Sequence, residues 1–293
     1  MNIENDSKWL FKYMPFNFNA VKLLTNNELW FGKPDIQNDP NEAEFILSAP
    51  EKVVGIHEFR IEIQDELEFL ITQTNPDNRY LDGFEKLNYE NHLKKIVRDY
   101  LGICSMTSKC NDILMWAHYA DNNKGICVVF DKDILTNSLT MRSGKVAYSS
   151  RITNATFIKT GKSGQLISDR IFYMEKLDNW MYESEFRFVK RYHDRISYHD
   201  VDRLESFPEN AIVGIILGEN FPKGDFKTLI NLAYLRNSKK EFYFWKSAKN
   251  LYKQSMDIIR ISDEHVNIYM SQNHFPFQHI LYEAKIELKQ KKD

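Results

Sequence analysis

The spacing of the short apolar runs constrains this fold more than any other feature of the chain. Runs such as "ICSMTS", "GICVVF" and "AIVGIILG" have the composition of β-strands. They are separated by helical blocks of unequal length and do not alternate regularly with helices, which favours an α+β fold over a doubly wound parallel sheet. The pattern therefore predicts a mixed, mostly antiparallel sheet as the core.

No Gly/Ser linker, repeat or low-complexity tract divides the chain, so residues 1–262 are expected to form a single α+β domain. A helical insertion is expected at about 45–102, because "HEFRIEIQDELEFLI" and "FEKLNYENHLKKIVRDYL" place apolar residues at intervals of three and four. The segment "SGQLISDRIFYMEKLDNW" also has the pattern of an amphipathic helix, and it leads into the strand "YESEFRFVK". Residues 263–293 are read as a polar, partly helical C-terminal tail.

Charge and cysteine content exclude several classes of protein. The formal net charge of −2 at pH 7 gives no global basic field to hold nucleic acid or an anionic membrane, although a local basic groove stays open. No apolar run reaches the ~18 residues of a membrane span, so no membrane partner is expected. The odd count of three cysteines and the lack of a signal-like start predict a cytoplasmic protein. The cysteine spacing predicts no metal site.

Common catalytic motifs are absent: the sequence contains no phosphate loop, GxGxxG, GxSxG or HExxH. Four short clusters carry the remaining chemistry, namely "FKY" (11–13), "QNDPNE" (37–42), "CSMTS" to "MWAHYA" (104–120) and "WMYESEFR" (180–187). In "NDPNE" and just after it, the acidic residues Asp39, Glu42 and Glu44 suggest a metal, but their spacing fits no EF-hand loop. A turn in which Asp39 bonds its own backbone is the favoured interpretation.

The cluster "WMYESEFR" places two carboxylates close together. On a strand, Glu183, Glu185 and Arg187 would point to the same side, where the arginine could relieve the repulsion between the two carboxylates. One interpretation is a surface ladder of cross-strand ion pairs. The other is a catalytic carboxylate beside a helper.

The residues of "CSMTS" and "MWAHYA" also leave two interpretations open. The hydroxyls of Ser105, Thr107 and Ser108 could simply satisfy a strand end or could contact a ligand. His118 lies beside an apolar helical stripe, so it is either a hydrogen-bonded histidine at the edge of the core or a catalytic residue.

In this order, the clusters resemble a bacterial family catalogued as a domain of unknown function, number twenty-nine seventy-one. The family pattern runs lyKY, wFs, fNDPfE, CfS, mWxhYAdnhkGxCigF and WxyExEfR. The corresponding segments here are "LFKY", "LWFG", "QNDPNE", "ICSMTS", "MWAHYADNNKGICVVF" and "WMYESEFR". Asn41 stands between the family's Pro and Glu, and "FG" replaces "FS". The family resemblance implies an association with mobile elements or defence, without a mechanism.

A more remote resemblance, to mono-ADP-ribosyltransferases of the arginine–serine–glutamate type, implies a mechanism and an ADP-ribosyltransferase-like arrangement of the sheet. The basic residue would be Lys12, the S-T-S edge would be the hydroxyls of "CSMTS", and the E-x-E would be "ESE". The resemblance implies NAD as substrate, with Glu185 stabilising the oxocarbenium ion and Glu183 steering the acceptor. His118 is a third catalytic candidate. The implied cofactor-binding residues are Lys12, Tyr13, Ser105, Thr107, Ser108, Trp116, Tyr119 and Arg187.

The sequence thus favours a bacterial effector or toxin-like enzyme, associated with phage defence, that acts on NAD by ADP-ribosyl transfer or glycohydrolysis. Its partners would be a small-molecule nucleotide and a protein or nucleic-acid acceptor. Two alternatives stay open. A metal-dependent nuclease would use the acid-x-acid of "ESEFRFVK", and a non-enzymatic sensor module would use the same residues to bind a ligand or a partner.

Overall fold

The computed structural model describes residues 3–4, 6–48, 57–62, 83–160, 163–192, 203–236 and 242–272. Its strands are β1 (Trp9–Met14), β2 (Glu28–Trp30), β3 (Phe45–Leu47), β4 (His57–Glu62), β5 (Leu101–Thr107), β6 (Ile126–Asp131), β7 (Arg142–Lys145), β8 (Ala147–Ser149), β9 (Thr153–Thr160), β10 (Ser163–Ser168), β11 (Glu175–Leu177), β12 (Glu185–Arg191), β13 (Leu204–Ser206), β14 (Ile212–Leu217), β15 (Tyr243–Asn250) and β16 (Ser255–Ile261). Its α-helices are α1 (Phe18–Asn26), α2 (Gly83–Asp99), α3 (Ile113–Tyr119), α4 (Lys132–Ser138), α5 (Lys223–Tyr234) and α6 (Asp263–Gln272).

A large open sheet forms the centre, with the strand order β16-β15-β14-β6-β1-β5-β12-β7. Its neighbouring strands run antiparallel except β14 and β15, which are parallel. A smaller sheet has the order β3-β9-β10-β4, and β11 pairs with β8 and β13 with β2. The predicted α+β class with a mostly antiparallel sheet is confirmed. Among the helices that the structure describes, none is both long and apolar enough to cross a membrane.

One face of the large sheet packs against helices. Side chains of β5 and β12 such as Cys104, Met106, Phe186 and Phe188 join a buried apolar cluster on this face. Residues of α1, α4, α5 and α6 complete the cluster, including Leu23, Leu24, Leu135, Phe226, Leu229, Ile230 and Val266. The burial of this apolar surface supplies the main driving force that holds the helices to the sheet.

The opposite face of the large sheet carries two separate apolar clusters. One lies toward the β12 edge, where the small sheet and α2 cover Ile103 and Val189. The other lies toward β6 and β14, where α3 packs its Trp116 against β1 and β6. Polar side chains of β5 and β12 lie between the two clusters, so this seam is where a site can form.

Two predicted helices are wrong. His57–Glu62, the start of the first insertion helix, forms β4, and Ser163–Ser168 forms β10. These two strands pair with each other, from His57 opposite Ser168 to Glu62 opposite Ser163. β10 also forms a hairpin with β9, from Thr160 opposite Ser163 to Ala155 opposite Ser168. Because both strands complete their backbone hydrogen bonds with other segments, and β4 does so about a hundred residues away, their local periodicity did not reveal them.

Other predicted elements are confirmed. The second insertion helix is α2, and the strand "YESEFRFVK" contains β12. The structure also shows that α1 begins after Asn17, whose side chain caps it. Within the predicted C-terminal tail, Asp263–Gln272 form α6, and residues 273–293 lie outside the described residues. Residues 49–56 and 63–82 of the predicted insertion also lie outside them.

Asp112 caps α3, the helix that carries Tyr119 toward the seam. Its Oδ1 accepts hydrogen bonds from the backbone amides of Leu114 (2.8 Å) and Met115 (3.1 Å). We expect Asp112→Ala to lower the free energy of unfolding by about 1 kcal/mol, because these two amides lose their acceptor. Urea unfolding measures this loss, and Asp112→Asn should retain most of the stability. Equal midpoints for Asp112→Ala and the wild type would show that the cap contributes nothing.

Candidate functional site

A gap opens in the large sheet between β1 and β5. β1 pairs with β6 along its whole length, from Trp9 opposite Asp131 to Met14 opposite Ile126. β1 meets β5 at Phe11 opposite Thr107. Elsewhere on β5, Ile103 pairs instead with Gly32, which follows β2. The backbones of these two residues exchange two hydrogen bonds, of 3.0 and 2.8 Å. The divergence of β1 from β5 therefore creates a cavity next to the seam between the two apolar clusters.

This cavity encloses about 310 Å³, which is at the small end of the range for ligand sites. It brings together residues from all four sequence clusters. Its lining includes Phe11, Lys12 and Tyr13 from β1, Ser105 and Thr107 from β5, Met115 and Tyr119 from α3, Lys176 from β11, and Glu183 and Glu185. Trp30, Gly32, Ile36, Gln37 and Asn38 also line it.

A buried group of charges forms one wall of the cavity. Arg187 is fully buried and binds Glu185 through Nε–Oε1 (2.8 Å) and Nη2–Oε2 (3.0 Å). The same guanidinium binds Glu42 through two contacts of 2.6 and 3.0 Å. The Lys176 ammonium lies 2.6 Å from Glu183 Oε2 and 3.2 Å from Glu185 Oε2. This charge cluster therefore holds three carboxylates against two cations.

The cations keep Glu185 ionised. Burial alone would raise the pKa of Glu185, but Arg187, Lys176 and a hydrogen bond from Ser105 outweigh burial and lower it to about 2. Burial disfavours the charged form of Lys176, yet Glu185 and Glu183 raise its pKa above the ordinary value. Burial raises the pKa of Glu42 even though Arg187 opposes this shift.

Glu183 is linked to α3 and to the loop after β2 by hydrogen bonds. The Tyr119 hydroxyl donates to Glu183 Oε1, and the Asn38 side-chain amide donates to the Tyr119 oxygen. Burial and the adjacent Glu183 carboxylate raise the pKa of Tyr119 well above its ordinary value. Tyr119 is therefore a neutral hydrogen-bond donor at neutral pH.

The lowered pKa of Glu185 predicts a loss of stability in acid. Its folded-state pKa of about 2 lies below the ordinary value of 4.5, so ionised Glu185 stabilises the fold above about pH 4.5. This contribution is lost as the pH falls toward 2. We expect urea unfolding to show a smaller decrease in stability over this range for Glu185→Gln than for the wild type. Identical pH profiles would contradict the strong coupling of Glu185 to Arg187 and Lys176.

Seven of the predicted site residues line the cavity: Lys12, Tyr13, Ser105, Thr107, Tyr119, Glu183 and Glu185. Lys12 alternates with Phe11 and Tyr13 along β1, so its side chain begins on the helix-covered face of the sheet. Its ammonium donates to the Ser105 carbonyl (3.1 Å) and lies 3.8 Å from Cys104 Sγ. Tyr13 is buried, and its hydroxyl donates to the Lys109 carbonyl (3.1 Å).

The other four predicted residues do not line the cavity. Trp116 is fully buried, where its indole donates to the Cys110 carbonyl (2.9 Å), and it is therefore a core residue. Arg187 is fully buried and binds Glu185, and it is not among the residues that line the cavity. The Ser108 hydroxyl donates to the Ser184 carbonyl (3.3 Å) at the strand end. His118 is exposed, with its ring 6.1 Å from that of Tyr182.

The expected strand geometry of the E-x-E is wrong for one residue. Glu185 begins β12, but Glu183 ends a 3₁₀ segment, and Ser184 between them has a left-handed conformation with φ 45°. The two carboxylates still meet, because Lys176 binds both of them. On β12 itself, Glu185 and Arg187 share a face as predicted.

The loop "NDPNE" is a turn, as favoured from the sequence. Asp39 Oδ1 accepts a hydrogen bond from the Asn41 amide (2.9 Å). Glu42 binds Arg187, and Glu44 binds Lys94 and Arg98. The acidic residues of this loop are thus bound to cations or to the loop backbone.

Sequence reasoning missed several residues of the site, above all Lys176 and Trp30. Lys176 lies in a segment that was predicted to be a helix, and a single lysine there gave no signal of burial. Trp30 lies in the segment "LWFG", whose residues indicate no particular chemistry, although Trp30 lines the cavity. One signal for Trp30 was available in the sequence: it lies two positions before Gly32. A side chain at position 32 would crowd the side chains around it, including that of Trp30.

Comparison with known proteins gives one match. Residues 115–188 match the model of a family described as "Protein of unknown function (DUF2971)". This match confirms the family resemblance over that part of the chain, which includes α3, β12 and the E-x-E. No curated protein and no solved structure matches the chain. The resemblance to ADP-ribosyltransferases stays a prediction.

Proposed function

We propose that the cavity binds NAD and cleaves the bond between nicotinamide and ribose, by ADP-ribosyl transfer or by glycohydrolysis. The observation that carries this proposal is the position of Glu185. Its carboxylate lies in the cavity wall, and Arg187 and Lys176 keep it ionised. An ionised carboxylate that is buried in a cavity wall and already oriented is suited to stabilise a positive charge that develops on a ligand.

Cleavage of the nicotinamide bond creates such a charge. As the C1′–N bond breaks, its electron pair leaves with nicotinamide and the ribose becomes an oxocarbenium cation. Water or an acceptor nucleophile then bonds to C1′ and loses a proton. Glu185 would stabilise the cation without forming a bond. Because Arg187 and Lys176 already orient the carboxylate, little reorganisation is needed during the reaction.

The neighbouring polar groups fit the remaining parts of NAD. The Ser105 hydroxyl, beside Glu185, would bind the ribose hydroxyls. The Lys12 ammonium has three N–H donors. The Ser105 carbonyl and the Cys104 sulfur accept two of them, so the third would donate to a phosphate. Glu183, held by Tyr119 and Lys176, would orient the acceptor.

A ligand-binding module without chemistry is the second candidate. It is favoured by the fact that each carboxylate of the charge cluster already contacts a cation, as in a site that recognises a ligand without reacting with it. The same contacts weigh against the nuclease alternative, which needs carboxylates free to converge on Mg²⁺. In the part of the chain that the structure describes, no three acidic, histidine or cysteine residues are arranged to hold a metal ion.

A chelator separates these functions. Purified protein is incubated with NAD in the presence of EDTA, and nicotinamide is measured by chromatography; single-stranded and duplex nucleic acids are incubated in parallel with Mg²⁺. We expect nicotinamide release that EDTA does not stop. Nucleic-acid cleavage that EDTA stops, without nicotinamide release, would support the nuclease. NAD binding without either reaction would support the module. The predicted role as a cytoplasmic toxin or phage-defence effector depends on the first result.

A further inference from the structure

We propose that Trp30 and Ile36 form a ring-binding lip at the mouth of the cavity, against which the planar heteroaromatic ring of the ligand stacks. The assignment of that ring to a nucleotide rests on the proposed function. The existence of the lip rests on the geometry alone.

The lip is apolar, whereas the inner cavity is polar. Trp30 is 36% exposed and Ile36 is 65% exposed, and both line the cavity. The inner wall presents the charged groups of Lys176, Glu183 and Glu185. A ligand that fills both parts must therefore have an apolar end and a polar, hydroxylated or cationic end. The nucleoside unit of a nucleotide has these two ends, a flat ring and a hydroxylated ribose.

Gly32 lets the lip come together. A Cβ atom at Gly32 would lie 2.9 Å from Gln37 Nε2, 3.2 Å from Ile36 Cδ1 and 3.4 Å from Trp30 Nε1. These three side chains thus converge over the glycine, and a larger residue would displace them. The two backbone hydrogen bonds between Gly32 and Ile103 fix this point to β5. The lip is therefore anchored to the sheet that carries Ser105.

Its chemistry suits a flat ring rather than a flexible chain. An indole face stacks on heteroaromatic rings, and such stacking tolerates different rings because each has a π-face. The Gln37 side-chain amide, at the edge of the lip, can hydrogen-bond to a ring substituent. Both nicotinamide and adenine meet these requirements. The lip therefore selects a flat aromatic ring and does not by itself distinguish these two.

Binding measurements with ring-bearing and ring-free ligands test the lip. Dissociation constants are measured by calorimetry for NAD, nicotinamide mononucleotide, AMP and ribose 5-phosphate with wild-type protein and Trp30→Ala. We expect Trp30→Ala to weaken NAD binding about 5- to 150-fold and to leave ribose 5-phosphate unchanged. Trp30→Phe should retain most of the affinity. Tyr252→Ala, which removes an exposed aromatic ring in the β15–β16 turn, is the matched control.

The pattern of losses identifies the ring. A loss confined to nicotinamide mononucleotide and NAD places nicotinamide on the lip, and a loss confined to AMP and NAD places adenine there. Equal affinities of Trp30→Ala and wild type for every ligand would overturn the inference, as would failure of the wild type to bind any of them. Trp30-dependent binding without nicotinamide release would retain the lip and reject the proposed reaction. Nicotinamide release that is unaffected by Trp30→Ala would reject the lip and retain the proposed reaction.

Discussion

Glu185→Gln is expected to lower kcat for nicotinamide release by at least about 100-fold and to change KM little. Glutamine has the same shape as glutamate but lacks the negative charge, so the variant loses the stabilisation of the ribosyl cation. In the proposed mechanism, the ground-state contacts with NAD would come mainly from other residues of the cavity, so KM would change little. Steady-state kinetics with chromatographic detection of nicotinamide measure both constants.

Glu44→Gln provides a matched control for this prediction. Glu44 also bonds two cations, Lys94 and Arg98, but it does not line the cavity. We therefore expect a near-wild-type rate for Glu44→Gln. Thermal unfolding of both variants shows whether a lost rate reflects misfolding. A folded Glu185→Gln protein that retains the wild-type kcat would reject Glu185 as the catalytic carboxylate.

Arg187→Met is expected to give the largest loss of stability, about 3–5 kcal/mol. The guanidinium is fully buried and binds both Glu42 and Glu185, so its removal leaves two carboxylates without their main partner. Their mutual repulsion raises their pKa values, so the variant should recover part of its stability in mild acid. Urea unfolding at neutral and at acidic pH measures both effects.

An exposed arginine, Arg151, provides the control for Arg187→Met. Arg151 is 66% exposed and lies 3.6 Å from Asp169, so Arg151→Met should cost less than about 1 kcal/mol. Combining Arg187→Met with Glu42→Gln should cost less than the sum of the two single changes, because the second change removes one of the stranded charges. Equal losses for Arg187→Met and Arg151→Met would show that the buried charge cluster does not hold the fold together.

The sequence was informative where structure is set locally. Asn17 and Asp112, which are residue types that favour helix N-caps, cap α1 and α3, and the apolar strands of the large sheet lie where expected. β4 and β10 were missed because their own periodicity is helical, whereas β4 is stabilised by pairing with the distant β10, and β10 by pairing with both β4 and β9. The pairing of distant segments is the information that a local pattern lacks.

The candidate site, too, was predicted only where the residue types of a short segment indicate its chemistry. The E-x-E, the hydroxyl-rich strand edge and Tyr119 carry chemistry that can be recognised by residue type. Lys176 and Trp30 could not be assigned in this way, because their roles depend on which distant residues they meet. Trp116 shows the converse: an aromatic residue within a distinctive motif is a buried core residue.

The central claim is that ionised Glu185 stabilises a ribosyl cation in this cavity. The most direct test is nicotinamide release by wild-type protein, in EDTA, from a mixture of unlabelled NAD and NAD with deuterium at C1′ of the nicotinamide ribose. We predict release of nicotinamide with faster consumption of the unlabelled NAD, because C1′ loosens its bonding to hydrogen as it becomes cationic. Absence of release, or equal consumption of the two forms, would contradict the claim.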